Sequence, residues 1–222
     1  MKRYLILVAG GKGERMRDAV PKQFMEVCGK PLIMHTLDAF SKSGLDPEII
    51  LVLPEQHFEN WKSLCSRHHF DLPHQIAGGG PTRFHSVKSG LKLVCSDPCL
   101  VAIHDAVRPL VSPELIRRVY ADAELHGNAV PCISVQESLR ERSGTISRAV
   151  KREHFVIVQT PQCFREDLIR RAYLQTYREE FTDDAGVFES DGGQIRLVAG
   201  EVHNIKITTP PDLQLFELLL KA

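Results

Sequence analysis

Short apolar runs alternate along this chain with longer segments in which apolar residues recur every three or four positions. Short continuous apolar runs are typical of buried strands, and the helical period is typical of helices that lie against a sheet. The alternation therefore predicts strand–helix units that build an α/β fold with a mostly parallel sheet flanked by helices. The predicted strands are residues 4–8, 49–53, 100–104, 129–134, 155–158, 195–198 and 204–207. Helices are predicted to begin near Pro31, Phe84, Pro113 and Pro210.

One segment breaks this alternation. Residues 136–151 are polar, have a composition compatible with strands, and fold back at Ser143-Gly144 as a β-hairpin does. A projecting arm is predicted there. The sequence contains no internal repeat, low-complexity tract or linker, so residues 1–222 are expected to form a single domain.

Composition narrows the function class. Because the 28 basic and 28 acidic side chains cancel, no overall field favours binding to nucleic acid or a membrane, and any anion site must be local. The six cysteines lack paired CxxC spacing, which predicts reduced thiols in a cytoplasmic protein. The apolar run before the first glycines is too short for a signal-peptide core or a membrane span.

A glycine-rich turn follows the first predicted strand. Residues 9–16 read AGGKGERM, and PKQF follows at 21–24. Glycines let backbone N–H groups approach phosphate oxygens closely. The spacing matches neither the P-loop nor GxGxxG followed by an acidic residue. The cations Lys12, Arg15 and Lys22 around the turn favour a nucleotide site over the alternatives, which are a tight bend and a solvated basic loop.

Two further segments carry groups suited to a nucleotide and its acceptor. Residues 78–86, GGGPTRFHS, can set backbone groups and the Ser86 hydroxyl against a flat pyrimidine base. HDAVRP, at 104–109, places Asp105 and Arg108 at the carboxyl end of a strand, where open α/β sheets bind ligands. The alternatives are a flexible loop for the first segment and a structural ion pair for the second.

Lys206 is the last candidate. It lies within NIKIT at 204–208, which predicts a strand whose Asn204, Lys206 and Thr208 share one face, opposite Ile205 and Ile207. A lone lysine on a strand usually faces solvent. Its candidacy therefore depends on the other cations.

The segments AGGKGERM, PKQF, GGPTRFHSV, HDAVRP, QTPQCF, TDDA and NIKITTP occur in the order and approximate spacing of the 2-C-methyl-D-erythritol 4-phosphate cytidylyltransferase family. The chain resembles this family over essentially its whole length. The resemblance implies a Rossmann-like nucleotidyltransferase fold with a projecting β-arm that forms a homodimer. It also implies that CMP is transferred from CTP to 2-C-methyl-D-erythritol 4-phosphate, with release of pyrophosphate, in isoprenoid precursor biosynthesis.

The resemblance also implies roles for individual residues. Arg15, Lys22 and Lys206 would be the catalytic cations over the CTP phosphates, and Asp105 would contact both CTP and the sugar alcohol. The other CTP contacts would be Ala9, Gly10, Gly11, Gly13, Gly80, Pro81 and Ser86, and the other substrate contacts would be Arg108, Ser138, Arg152 and Thr160.

Three positions depart from the family pattern. Pro81 has no N–H to offer the base, Ser138 stands where a threonine is common, and Gln136 replaces a familiar arginine. The residues expected to contact the CTP phosphates keep the pattern.

The implied reaction is attack by a phosphate oxygen of the acceptor on the α-phosphorus of CTP. A phosphate monoester is already largely dianionic near neutral pH, so no general base is needed. Because two anions must meet, catalysis is expected to rest on cations and on Mg²⁺ or another divalent metal. The metal would be held mainly by the CTP phosphates. Asp105 would orient either the metal or a substrate hydroxyl.

Two other functions fit parts of the pattern. One is a cytidylyltransferase for ribitol 5-phosphate or another polyol phosphate, although residues 84–87 favour methylerythritol phosphate. The other is a nucleotide sensor that performs no transfer. A sensor has no need of the three cations Arg15, Lys22 and Lys206, so their presence argues against it.

Overall fold

The computed structural model describes residues 1–10 and 21–221. Its strands are β1 (Lys2–Val8), β2 (Glu26–Val27), β3 (Lys30–Pro31), β4 (Glu48–Leu53), β5 (Gln75–Gly78), β6 (Cys99–Asp105), β7 (Asn128–Ser134), β8 (Arg140–Ser143), β9 (Ile146–Ala149), β10 (Val156–Val158), β11 (Gln162–Arg165) and β12 (Leu197–Ala199). Its helices are α1 (Leu32–Ser41), α2 (Phe58–His68), α3 (Arg83–Leu91), α4 (Pro113–His126), α5 (Glu166–Ala172), α6 (Asp184–Ser190) and α7 (Pro210–Lys221).

β1 lies inside the main sheet, whose eight strands have the order β10-β7-β11-β6-β1-β4-β5, with β12 paired to β7. β1 is parallel to β4 and β6, and β5 is parallel to β4, whereas β11 is antiparallel to its neighbours. The chain builds outward from β1 through β4 and β5, then crosses to β6 on the other side. Ligands bind open α/β sheets at such a reversal, beyond the carboxyl ends of the strands. The mostly parallel sheet predicted from the sequence is confirmed.

Both faces of the sheet are covered, which explains why its central strands read as continuous apolar runs. Leu5 and Leu7 of β1 pack in one core with side chains from α1, α2 and α4. Tyr4 and Ile6 face the opposite core, with side chains from α3, α5 and α6. A smaller cluster around Phe216 holds α7. The period-two alternation of β1 therefore separates two cores rather than a core from solvent.

The sheet forks beside the end of β6. β10 and β11 both run antiparallel to β7, with Val158 opposite Cys132 and Cys163 opposite Ala129. Four residues, 159–162, thus lie opposite two, 130 and 131, so two extra residues bulge between β10 and β11. β11 also pairs with β6, whereas β10 pairs with β7. The opening lies at the carboxyl end of β6.

Most of the predicted strands are found, but the one at 204–207 is wrong. No ladder forms there, and the Ile207 N–H donates to the Val107 carbonyl at 2.9 Å. Asn204 and Ile207 are both buried while Lys206 is exposed, so the expected alternation fails. The reason is that the Asn204 side chain donates inward to the Thr160 carbonyl at 2.8 Å. β5, β11, α2, α5 and α6 were not anticipated.

A hairpin occupies the segment where an arm was predicted. β8 and β9 pair with each other, and Ser143 lies opposite Ile146. All their side chains are exposed, so the hairpin contributes little to either core. In the described part of the chain, no helix has both the length and the apolar character needed to cross a membrane.

Candidate active site

A cleft of about 570 Å³ lies beyond the carboxyl ends of β1 and β6, where the strand order reverses. It is lined by eight of the residues singled out in the sequence: Ala9, Gly10, Lys22, Gly80, Pro81, Ser86, Asp105 and Lys206. Segments far apart in sequence thus meet at one edge of the sheet. Gly11, Gly13 and Arg15 lie outside the described residues, so their predicted roles stay predictions.

The floor of the cleft is held by the PKQF segment. Lys22 begins a short 3₁₀ turn, Lys22–Phe24, and is only 9% exposed. Its neighbour Gln23 donates from Nε2 to the Ala9 carbonyl at 2.9 Å in a buried contact. This hydrogen bond ties the turn to the end of β1. The lysine is therefore held beside the start of the glycine-rich segment.

The loop before α3 forms another wall. The Gly80 N–H donates to Ser86 Oγ at 3.1 Å, and that hydroxyl donates to the Thr82 carbonyl at 3.0 Å. A Cβ at position 80 would lie 2.3 Å from the His85 Cβ, so only glycine fits. Since the Gly80 N–H is already used and Pro81 has none, these two residues can offer a base only carbonyl oxygens.

Asp105 lies between three cations. Its Oδ1 is 3.4 Å from Arg83 Nε, and its Oδ2 is 3.4 Å from Arg108 Nε and 2.9 Å from Lys206 Nζ. Burial alone would raise the pKa of this carboxyl, but the charges of Arg83, Lys206 and Arg108 outweigh it and hold the pKa well below its usual range. Asp105 is therefore ionised across the physiological range.

Thr160 supports Asp105 from behind. Its Oγ1 lies 2.9 Å from His104 Nδ1 and accepts the Asp105 N–H at 3.2 Å. His104 Nε2 is 3.2 Å from the Arg108 carbonyl, so Nε2 carries the proton and Nδ1 accepts one from Thr160. Burial lowers the pKa of His104 to about 3, which keeps the ring neutral. The His104–Thr160 pair thus fixes the backbone that carries Asp105.

A second cavity of about 190 Å³ adjoins the cleft at the sheet fork. It shares Arg83, Asp105 and Lys206 with the larger cavity. Its other lining residues are Arg108, Val158, Gln159, Thr160, Gln162, Thr182 and Asp183. One cleft large enough for a nucleotide therefore meets a smaller polar cavity at Asp105.

The family model for 2-C-methyl-D-erythritol 4-phosphate cytidylyltransferase matches residues 4–222. The chain belongs to this family. The cytidylyltransferase of that name from Bacteroides thetaiotaomicron is 50% identical over 220 residues, which are 99% of this chain and 100% of the relative. The one from Porphyromonas gingivalis is 48% identical over 222 residues, covering 100% and 99%.

Solved structures of enzymes with these names also match the fold of this chain. The 2-C-methyl-D-erythritol 4-phosphate cytidylyltransferase of Thermus thermophilus matches with a TM-score of 0.77 at 31% identity and covers 100% of each chain. The 4-diphosphocytidyl-2C-methyl-D-erythritol synthase of Anaerococcus prevotii matches with a TM-score of 0.83 at 27% identity, covering 99% of this chain and 97% of that one. The Rossmann-like fold expected from the resemblance to the cytidylyltransferase family is confirmed.

Two residues that the cytidylyltransferase pattern assigns to the substrate lie away from both cavities. Ser138 and Arg152 are exposed at the base of the arm. The Arg152 guanidinium donates to the Gln136 carbonyl and lies 3.7 Å from Glu153. Neither residue is among those that line the two cavities described above.

Sequence reasoning did not assign a role to Arg83, Gln162, Thr182 or Asp183, which all line the smaller cavity. Both Arg83 and the TDDA segment stand inside motifs that point to the cytidylyltransferase family. A signal was therefore present, but only the fold brings Arg83 to within hydrogen-bond distance of Asp184, 101 positions further along the chain.

Proposed function

We propose that this protein transfers CMP from CTP to 2-C-methyl-D-erythritol 4-phosphate and releases pyrophosphate. The observation that carries the proposal is the meeting of two cavities at Asp105, in a chain that matches this cytidylyltransferase family over residues 4–222. The larger cavity suits the nucleotide, and the smaller one suits the acceptor. CTP is a nucleotide of the cytoplasm, which is where we expect the reaction.

The chemistry is a direct displacement. A phosphate oxygen of the acceptor forms a bond to the α-phosphorus of CTP while the bond to the bridging oxygen breaks, and pyrophosphate leaves with that oxygen. The attacking oxygen carries no proton when the monoester is dianionic, so no side chain has to remove one. The lining of the cleft supplies the cations Lys22 and Lys206, which can stabilise the negative charge that this displacement accumulates.

Positively charged side chains would provide most of the stabilisation of the transition state. Lys22 and Lys206 line the same cleft, where charge held in place before the reaction stabilises the transition state without reorganisation. Lys206 is part-exposed and pairs with Asp105 at 2.9 Å, so it can exchange that carboxylate for the α-phosphate of CTP. Arg15 is expected to act with them.

Among the described residues, the side chains of this site suit a divalent metal that enters together with CTP. The described residues include no group of three or more histidine, cysteine or acidic side chains that could hold a metal ion. Asp105 is ionised, but three cations already surround its oxygens. It can therefore offer Mg²⁺ one oxygen at most, and the phosphates and water would complete the shell. When bound, the metal would neutralise charge on the triphosphate.

The loop before α3 favours cytosine. Gly80 and Pro81 have carbonyl oxygens to offer but no N–H, since the Gly80 N–H donates to Ser86. Cytosine carries an amino group at the position where uracil carries a carbonyl. A base edge that donates can be satisfied by these carbonyls, whereas uracil would set two acceptors against each other. Stranding a buried polar group in this way gives strong discrimination.

We further propose a homodimer joined through the arm. Every side chain of the hairpin β8–β9 is exposed. A lone hairpin is only marginally stable. Further along the chain, Phe155 and the three residues of β10 form a run of exposed apolar side chains, with Ile157 48% exposed. Pairing two copies about a two-fold axis would cover this surface and bring Arg152 of each chain toward the other chain's acceptor cavity.

The test is pyrophosphate release by the purified protein. CTP with 2-C-methyl-D-erythritol 4-phosphate and Mg²⁺ should give steady turnover, and chelation of the metal should abolish it. UTP and ATP, or ribitol 5-phosphate in place of the acceptor, should be much poorer. Turnover with ATP equal to that with CTP would contradict the proposed base recognition, and equal rates with ribitol 5-phosphate would contradict the acceptor assignment.

A further inference from the structure

One guanidinium joins the two halves of the site. Arg83 is the first residue of α3, directly after the loop proposed to recognise the base. Its Nη1 and Nη2 donate to the two carboxylate oxygens of Asp184 at 2.8 and 2.7 Å. Its third nitrogen, Nε, donates to Asp105 Oδ1 at 3.4 Å. Arg83 also lines both cavities.

Asp184, which accepts the two Nη hydrogen bonds, is rigidly held. Asp184 is 0% exposed and begins α6, whose cap is the preceding residue, Asp183. The Tyr173 hydroxyl donates to Asp184 Oδ1 at 2.6 Å from within the core. A buried carboxylate fixed by a bidentate arginine and a tyrosine is an anchor with little freedom. The orientation of the Arg83 guanidinium is thereby set.

Asp105 needs such a support. Its Oδ2 meets Arg108 and Lys206, and Lys206 is the cation that the proposed reaction draws toward phosphate. When Lys206 leaves, the pull on Oδ2 weakens, while the contact of Oδ1 with Arg83 does not depend on substrate. If Arg83 served only to stabilise the fold, its pair with Asp184 would be enough, and the contact with Asp105 would not be needed. A lysine could not serve in its place, because a single ammonium lacks the fork that binds one carboxylate and the separate donor that meets another.

We propose that Arg83, anchored by Asp184 and Tyr173, is a positioning residue that holds Asp105 in place at the boundary between the nucleotide and acceptor cavities. This inference rests on the proposed transfer reaction. It assigns no contact between Arg83 and the reacting atoms. Its effect should appear in turnover and in the KM for the acceptor, and much less in the affinity for CTP.

The experiment replaces the anchoring pair by apolar residues of similar size, Arg83→Met with Asp184→Leu. Such a replacement leaves no unpaired buried charge, and the one buried group that loses its partner is the Tyr173 hydroxyl, so we expect the fold to be retained. The matched control is Arg170→Met with Glu166→Leu, a second arginine–carboxylate pair with a buried acid, whose residues line neither cavity described here. Thermal unfolding verifies both proteins. Pyrophosphate release gives kcat and KM, and calorimetry without acceptor gives the Kd for CTP.

We expect kcat of the Arg83–Asp184 variant to fall on the order of 100-fold, the effect of a small misplacement at a reacting site. The Kd for CTP should change less than about threefold, and the control pair should keep kcat within about twofold. The single variant Arg83→Lys should also have low turnover, although it keeps the positive charge. A folded double variant with near-normal kcat overturns the proposal, as does a fall in CTP affinity that matches the fall in kcat.

If the Arg83–Asp184 double variant does not fold, two variants that each remove a single hydroxyl test the proposal instead. Tyr173→Phe removes one hydroxyl from the anchor, while Tyr120→Phe removes a buried hydroxyl that donates to the Tyr4 carbonyl at 2.7 Å. Only Tyr173→Phe should lower kcat, by several-fold. Equal kcat values for the two variants overturn the proposal. Absence of turnover in the unmodified protein would instead overturn the proposed function, and the inference with it.

Discussion

The cleft and the arm are built in opposite ways. At the cleft and the small cavity that adjoins it, Asp105 and Thr160 have partners within the same chain, and each is held from two or more elements. On the arm, every side chain of β8 and β9 is exposed, and so are Ser138 and Arg152 beside them. One chain thus supplies two preorganised cavities but leaves two of its proposed acceptor contacts, Ser138 and Arg152, open. Folding of one chain therefore completes the contacts of the cleft, whereas the side chains of the arm would be covered only in the proposed dimer.

The largest effect should come from removing a cation of the cleft. Lys22→Ala should lower kcat by about 100- to 1000-fold, equivalent to about 2.7–4 kcal/mol, because a preorganised charge is lost in the transition state. The affinity for CTP should fall far less. Lys62→Ala, on the exposed face of α2, is the control in the same assay. Near-normal kcat in Lys22→Ala would remove this lysine from the mechanism.

The next effect concerns the arm. Lys22→Ala and Arg152→Ala proteins should each be nearly inactive, and subunit exchange between them should create mixed dimers with one intact site. Random exchange makes half of the dimers mixed, so about a quarter of the unmodified activity should return. Differently tagged subunits allow mixed dimers to be purified and assayed. Mixed dimers as inactive as their parents would mean that Arg152 serves its own chain.

A smaller effect is expected from charging the exposed apolar run. Ile157→Lys should raise the dimer dissociation constant about tenfold or more, since two like charges would meet across the two-fold axis. Analytical ultracentrifugation measures the shift. Leu125→Lys on α4 is the control, because Leu125 is also exposed but lies on a helix away from the arm. An unchanged dimer in Ile157→Lys would place the interface elsewhere.

The smallest effect compares one hydroxyl from each region. Thr160→Val should lower the free energy of unfolding by about 1–3 kcal/mol, because the His104 Nδ1 and the Asp105 N–H lose a buried partner. Ser138→Ala should change it by less than about 0.5 kcal/mol, as exposed substitutions usually do. Chemical denaturation measures both. Equal losses would mean that the arm is as tightly built as the cleft.

The sequence predicted the central strands well for a physical reason. β1, β4 and β6 are covered on both faces and so appear as unbroken apolar runs. β5 and β11 are four residues each, and glutamine begins both, so no period could distinguish them from loops. α2 buries only Trp61 and Leu64, which leaves too narrow a stripe to stand out. Long buried elements were predictable and short ones were not.

The residues of the candidate site also differ in how well the sequence predicted them. Residues that follow a strand directly, such as Gly10 after β1 and Asp105 at the end of β6, were found because position along a strand predicts position at the sheet edge. Lys206 was placed in the cleft by its motif, although the strand expected around it does not form. The link from Arg83 to Asp184 spans 101 positions. Nothing local in either segment encodes it, since one resembles a helix start and the other a cap.

The fork between β10 and β11 bounds the cavity proposed for the acceptor, so its shape bears on the size of acceptor that would fit. The two extra residues that bulge against β7 set how far the sheet parts beside β6, and the walls of the small cavity come from that bulge at Val158, Gln159 and Thr160. The nucleotide cleft rests on other strands. A change in bulge length would therefore alter first the width available to the proposed acceptor, and it would reach the nucleotide cleft only through the contact of Thr160 with the backbone of Asp105.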